Sequence, residues 1–495
     1  MFMKYFEVSI LFFNVLLLVG LWKFIKARLQ HRFYRAYILR KSANYFSKSN
    51  CCGFFSEYIV LKIADIIHKA PRNKQEELLK EINSGKHEKI VEYITTLNPT
   101  LAYIYTAHFD IKAAKEQLEK HIKEQKSALA LIGLGLIYAQ DFNFIKLRSV
   151  VESLKTVKKD KLQKALSYIL EAKTDIYDSD MLSASSKTMK SLKIFKKKNL
   201  FYQEADAYFI LGEIYRISAV FDVSQMMFDA ADKIYASVED VLRQSVVKSA
   251  KAMLFTAQER FTEATDLFAE AEKIFKQNKL PVKQAEVLNQ QALIHILQKK
   301  YAKALKIAEQ ALKIHTQHQN MRGQAYSYEL LATISYNKKD YLKAVKFSQN
   351  AQPLYFETDN YSAYEDAAFI EAQSYFALQD YEKTEKICRK IISIYEKKST
   401  CFHIANIYSL LGLIYIRLND FKRAGTLFKK ALDLEQSNER YSCVATDYAN
   451  LALIDKKLGN KEQALQNLQA ALESAQKHQD ENLCQIISKQ IKKIG

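Results

Sequence analysis

Apolar positions along the chain follow two different rules. From Tyr5 to Phe24 they are nearly continuous (YFEVSILFFNVLLLVGLWKF). Twenty helical residues span roughly 30 Å, about one hydrocarbon core. Beyond residue 25 no comparable run recurs. Apolar residues instead return at spacings of three and four, as Leu410, Leu411, Ile414 and Leu418 do, which is the stripe of a helix with one buried face. Short polar breaks separate these stretches, among them Asn337–Asp340, Asn419-Asp420 and Gly459-Asn460. Each break predicts a turn, and Asp340, Asp380, Asp420 and Asn460 stand where the following helix wants an N-cap. Only 4 prolines and 11 glycines occur in 495 residues, too little turn chemistry for a β-rich fold. The pattern predicts an all-α chain.

The helical stretches repeat. SYELLATISYNKKDYLKAVKFSQNAQPLY near residue 330 and IYSLLGLIYIRLNDFKRAGTLFKKALDL near 410 match at a shift of 80 residues, and the unit is 40. Small residues recur at Gly212, Ala252, Ala292, Ala332, Ala372, Gly412 and Ala452. Aromatics follow nine positions later at Phe221, Phe261, Tyr301, Tyr341, Tyr381 and Phe421, with Lys461 departing. Further rows run Ser224, Ala264, Ala304, Ala344, Thr384, Ala424, Ala464 and Ala231, Ala271, Ala311, Ala351, Ile391, Ala431, Ala471. Each unit reads as two helices joined by a tight turn. Small side chains mark where the axes cross closely, and the aromatic is expected to wedge between one pair and the next.

This signature resembles the tetratricopeptide repeat, in the variant with 40-residue units, longer helices and no proline near the unit's end. The resemblance implies a right-handed α-solenoid of stacked helical hairpins, a tetratricopeptide-like superhelix, here preceded by one transmembrane helix. The expected organisation is an anchor over 1–25, a basic juxtamembrane and helical spacer over 26–95, and degenerate helical repeats over 96–160. An array of about eight units over 161–480 and a capping helix over 481–495 follow. Degenerate units carry Gly133 with Phe142, and Ala102 with Ile111, Ala114 and Leu118. In the cap, Leu483, Ile486, Ile487 and Ile491 form one stripe, as a solenoid end needs an apolar inner and a polar outer face.

Charge sharpens the reading of the first segment. Residues 1–50 hold nine Lys/Arg and one acid, and residues 51–200 hold 26 against 18, so 16 of the 19 excess positive charges lie in the first 200 residues. Attraction to anionic headgroups explains this gradient better than nucleic-acid binding, for which no motif is present. A signal peptide would need a basic leader and a small-residue cleavage site. Lys4 beside Glu7 gives almost none, and the apolar run passes straight into WKFIKARLQ. An uncleaved anchor, with the basic flank and everything after it on the cytoplasmic side, is therefore expected. A bacterial inner membrane fits better than a mitochondrial outer membrane.

Catalytic and metal chemistry find no foothold in the sequence. Six cysteines show no C-x-x-C spacing and read as small core residues. Gly133 and Gly135 lack the third glycine of a phosphate loop and read as helix contact points. His315 and His318 lie three apart without a third ligand, and read as exposed histidines. No cofactor and no enzymatic activity are expected, although residues 50–160 are where an unrecognised catalytic part would have to lie.

Binding has a location, supplied by the resemblance. In that family the first helix of each unit lines a concave groove for extended or helical peptides. Carried over, the lining here is Asp206, Glu213, Arg216, Glu286, Asn289, Tyr326, Glu329, Tyr336, Asp366, Phe369, Gln373, Phe376 and Asn450. Asn450 matches the position where asparagine often holds a ligand's backbone amide. The mixture of acids and aromatics implies protein or peptide segments of basic or amphipathic character. It disfavours the chaperone-tail clamp of the family, which needs Lys, Asn and Arg there. A membrane-anchored adaptor is the expected function, with a peptide-sensing regulator and an organelle import-type receptor as alternatives.

Overall fold

The computed structural model describes residues 62–494, apart from 64, 68, 85–87, 108–109, 141, 359, 399–403, 438–440 and 478–479. The expected anchor over 5–24 and the first part of the spacer lie outside the described residues. Among the described residues every regular element is an α-helix, and no helix is long and apolar enough to cross a membrane.

Two compact units divide the chain at Leu280 and Pro281. The first opens with α1 (Arg72–Ser84), α2 (Glu88–Leu97), α3 (Pro99–Thr106), α4 (Ile111–Glu124), α5 (Ala128–Gln140) and α6 (Phe144–Thr156). It continues with α7 (Lys161–Tyr177), α8 (Met181–Lys197), α9 (Phe201–Ile217), α10 (Phe221–Ser237), α11 (Val241–Ala257) and α12 (Phe261–Gln277). The second holds α13 (Pro281–Leu297), α14 (Tyr301–Gln317), α15 (Met321–Asn337), α16 (Tyr341–Glu357), α17 (Tyr361–Ala377) and α18 (Tyr381–Lys398). Then come α19 (Ile404–Arg417), α20 (Phe421–Ser437), α21 (Tyr441–Lys457), α22 (Lys461–Lys477) and α23 (Glu481–Ile494). From α7 to α22 a helix starts every twenty residues, α19 apart, whose described part begins at Ile404.

Within each unit, consecutive helices pack as antiparallel hairpins, and each hairpin packs on the next. First helices also touch their successors: α5 meets α7 and α9 meets α11, while α13, α15, α17, α19 and α21 form one unbroken series. Among the described residues no pair of second helices packs together to that extent. The side of each unit built from first helices is therefore the more tightly gathered one.

The small-residue rows explain the hairpins. A Cβ built on Gly212 would lie 2.6 Å from the Phe228 ring, and one on Gly412 2.7 Å from Phe428. Phe228 and Phe428 are fully enclosed, so the ring of the second helix fills the space that the glycine leaves on the first. Ala252, Ala292, Ala332 and Ala372 are fully enclosed at the same register. Gly133 and Gly135 belong to this class: both lie inside α5, facing Ile104 and Leu170.

The turns carry their own logic. Asp340, Asp380 and Asp420 accept hydrogen bonds from the amides of Lys343, Lys383 and Arg423 at 3.1–3.3 Å, as N-caps do. Before each cap comes a left-handed residue, and these recur every twenty positions: Asn199, Ala219, Glu239, Glu259, Lys279, Lys299, Gln319 and Lys339 among them. After α15 the amide of Asp340 donates to Ser335 and that of Lys339 to Tyr336, which closes the helix as a Schellman motif.

The aromatic row touches its own hairpin and the next, and one sequence expectation, on the cap, needs correction. Tyr301 reaches the next hairpin, its O–H donating to Asn337 at 3.4 Å, and Tyr381 packs on a core that includes Ile407 and Leu411 of the next one. Tyr341 and Tyr381 also contact their own hairpin. Each rests on the end of the first helix of its own hairpin, with ring centroids 5.7 Å from Tyr336 and Phe376 respectively. In α23, Ile487 is enclosed and Leu483 and Ile491 pack on α22, but Ile486 points outward, 46% exposed. It stands one residue from Ile487, about 100° around the helix, and so cannot share that contact.

Candidate binding face on the first helices

The expected lining residues fall into few registers of the 40-residue unit. Asp206, Glu286, Tyr326 and Asp366 share one; Asn289, Glu329 and Phe369 the next, three positions on. Glu213 and Gln373 follow four further, and Arg216, Tyr336 and Phe376 three beyond that. Steps of three, four and three keep all four registers on one face of a helix. Asn450 stands one position off this stripe.

In the first unit the stripe turns inward. Asp206 is buried, accepts the phenolic O–H of buried Tyr235, and lies 3.6 Å from the Arg243 guanidinium. Arg243 is held 3.6 Å from Asp240 and stands over the rings of Tyr202 and Tyr235 at 4.9 and 5.6 Å. Burial raises the Asp206 pKa, and Arg243 only partly opposes the shift. Glu213 and Arg216 pair with one another at 2.9 Å, half-buried. Asp206 is thus an internal tie between α9, α10 and α11, not a lining residue.

Asn289 in the second unit is also enclosed, 1% exposed. Its side chain accepts the Ser327 hydroxyl at 2.9 Å and approaches His315 Nε2 at 3.4 Å. His315 is itself fully buried, against the expectation of an exposed histidine. A Cβ on Gly323 would lie 2.2 Å from its Nδ1, so α15 makes room for the imidazole. His318 is exposed.

The remaining second-unit residues on α15 and α17 are half-buried, as Glu213 and Arg216 are. Tyr326, Glu329 and Tyr336 on α15 stand beside Asp366, Phe369, Gln373 and Phe376 on α17, two helices that pack together. Glu329 accepts the O–H of Tyr355, a fully buried side chain of α16. Burial pushes Glu329 up to about 7, and the neighbouring Asp366 adds to the shift. Burial also raises Tyr326. Glu286, on α13, is exposed and paired with Lys283 at 2.8 Å. No lysine or arginine occupies the four stripe registers on α15 or α17, so that band is acidic and aromatic.

Asn450 does not join this band. It bonds to Asp447, which is 2% exposed, accepts the Ser409 hydroxyl at 2.7 Å and is pushed by burial up to about 7.

Sequence reading missed the residues that support the band from behind. Tyr235, His315 and Tyr355 share one register on the second helices, with Phe195 and Phe275 in the same row. All five are buried, and Tyr235, His315 and Tyr355 hold Asp206, Asn289 and Glu329. The forty-residue recurrence was the available signal.

The tetratricopeptide repeat profile matches residues 366–437 and 403–477, and no curated protein matches the chain in sequence. Among solved structures, the apo form of RapI is 16% identical, with a TM-score of 0.47 over 72% of this chain and 99% of its own. The apo form of the quorum sensor NprR from B. thuringiensis is 15% identical, with a TM-score of 0.48 over 68% and 98%. A tetratricopeptide repeat protein from Parabacteroides merdae is 16% identical, with a TM-score of 0.38 over 59% and 99%. Residues 366–477 thus carry the tetratricopeptide repeat signature, and each unit folds as stacked helical hairpins.

Proposed function

We propose that the chain is a protein-binding adaptor whose second unit captures a segment of a partner protein along α15 and α17. One observation carries this reading: a half-buried band of Tyr326, Glu329, Tyr336, Asp366, Phe369 and Phe376 on adjacent first helices, without a basic residue in its registers. Aromatic faces and carboxylates suit a segment bearing Lys or Arg among apolar residues, extended or helical. The closer packing of first helices supports a groove on that side. Helices starting every twenty residues support 40-residue repeats over 161–480, beyond the part that the family profile matches.

Residues 5–24 would tether the adaptor to a bilayer, with the repeats on the cytoplasmic side of a bacterial inner membrane. Confinement to a surface raises effective concentration for a co-localised partner. Resistance to alkaline extraction by the full chain, lost on removing residues 1–48, tests the tether by itself.

The groove is tested with the full chain in detergent and a random peptide display library. Enriched peptides should be net positive and should cross-link to benzoylphenylalanine at Phe369 or Phe376, not at Leu342, an outward residue of α16 that is 72% exposed. Alanine at Glu329 and Asp366 together should weaken them about tenfold or more. Acidic peptides, or equal cross-linking at Leu342, would remove the reading. Compaction in solution scattering on peptide addition would favour the peptide-sensing alternative.

A further inference from the structure

Three successive turns of the first unit lie on one edge, because α4 to α9 alternate in direction and pack in sequence. They are the turns from a second helix to the next first helix: 125–127, 157–160 and 198–200. Lys123 and Lys126 flank the first, Lys158 and Lys161 the second, and Lys197 and Lys198 the third, all exposed. Lys155, Lys159 and Lys196 also stand here, but they are engaged with Glu152, with the carbonyls of Leu154 and Val157, and with the Tyr208 ring. The acids on this edge are Glu124; Asp160, occupied as the N-cap of α7; Glu152, paired with Lys155; and Glu204, beside Lys196.

The opposite edge is different. Its described turn residues, 107, 110, 142–143, 178–180 and 218–220, include Asp110, Asp178 and Asp180 and no lysine or arginine. Within two residues of them the only such cations are Lys112, exposed, and Arg216, paired with Glu213. Lysines that served only solubility would be spread over both edges. The excess is also confined along the unit: the next turn on the basic edge, 238–240, carries Glu239 and Asp240. Phe201, 50% exposed at the start of α9, adds an apolar side chain beside Lys197 and Lys198.

We infer that this edge of the first unit rests on an anionic lipid surface, with the six exposed lysines at the headgroups and Phe201 at the interface. Turn tips at the ends of packed helices present their ammonium groups to a plane, and each lysine near an anionic leaflet adds to the attraction within about a Debye length. A bilayer is favoured over a nucleic acid because the edge combines cations with an exposed phenylalanine, and because residues 5–24 of the same chain are expected to be membrane-bound. The inference rests on the tether only for that last point.

The test places benzoylphenylalanine at Lys158 on the basic edge, or at exposed Ser218 on the opposite edge, in the full chain reconstituted with radiolabelled lipid. The Lys158 position should give several-fold more lipid adduct in vesicles containing 30% phosphatidylglycerol than in neutral phosphatidylcholine, while Ser218 gives the same low yield in both. Glu at Lys161, Lys197 and Lys198 together should abolish the difference, and Gln there should reduce it, with the circular-dichroism melt unchanged. Equal yields at the two positions, no dependence on lipid charge, or loss of the adduct to competing RNA at physiological salt would overturn the inference. If alkaline extraction shows that the chain is not integral, flotation of the same variants with anionic against neutral vesicles gives the same decision and separates this edge from the tether.

Discussion

At the scale of the residue, the hairpins depend on where a Cβ is missing. Glycine inside a helix ordinarily costs about 1 kcal/mol relative to alanine. Gly412 should show the opposite sign, since its Cβ would stand 2.7 Å from the enclosed Phe428 ring. Gly412→Ala is expected to destabilise by about 1–3 kcal/mol in denaturant melts, and Phe428→Leu to recover part of that loss in a double-mutant cycle. A neutral or stabilising Gly412→Ala would show that the ring relaxes freely. The small-residue rows were legible in the sequence because only size matters at that register. Asp206 and Asn289 were not, because polarity does not disclose that Tyr235 or Ser327 stands ready to satisfy a carboxylate or amide inside. The row supporting them mixes Phe195, Tyr235, Phe275, His315 and Tyr355, which hides one structural position among three residue types.

Glu329 adds a pH dependence at the same scale. Burial holds its proton up to about 7 in the fold, against an ordinary value of 4.5. The folded state therefore binds more protons than the unfolded state between these values. The stability this provides is fully present below pH 4.5 and is lost as the pH rises through about 7. Glu329→Gln, which cannot ionise, should stabilise the chain at pH 8 relative to the native residue by roughly 2 kcal/mol, with the gap closing towards pH 5. Chemical denaturation of both forms across that range checks it, and a gap independent of pH would contradict the buried-carboxyl account. Asp447, raised by burial to a similar value, sets a background slope common to both forms.

At the scale of the element, the turn between helices was legible in position but not in kind. Asp340, Asp380 and Asp420 announce the cap of the following helix. The left-handed residue before them is ordinarily glycine, yet here it is Lys339, Gln379 and Asn419. Scarce glycine thus conceals a regular Schellman closure. A residue with a Cβ pays about 1 kcal/mol in that region, which glycine does not. Lys339→Gly, at an exposed position with φ of 64°, is expected to stabilise the chain by roughly 0.5–1 kcal/mol. The same replacement at Lys338, whose φ is −80°, should destabilise it. Thermal melts of the two variants side by side separate turn geometry from the loss of a lysine.

At the scale of the molecule, a chain of hairpins that touch mainly their neighbours has local stability. Within the second unit each helix from α13 to α22 packs on the one that follows it, with first helices reaching one hairpin further. Energy introduced at one hairpin should then spread over its neighbours and fade, as in a one-dimensional array, whereas a globular core would share it throughout. Native-state hydrogen exchange on Gly412→Ala distinguishes these cases. Amides of α19, α20 and α21 should lose protection by an amount matching the measured destabilisation, and those of α7 to α10 in the first unit should exchange at the native rate. Uniform loss across both units would mean that the chain unfolds as one cooperative body, and that a segment bound along α15 and α17 would stiffen every hairpin at once. Local loss would confine the effect of binding to the hairpins that make contact, leaving the lysine-rich turns of the first unit free to meet their own partner independently.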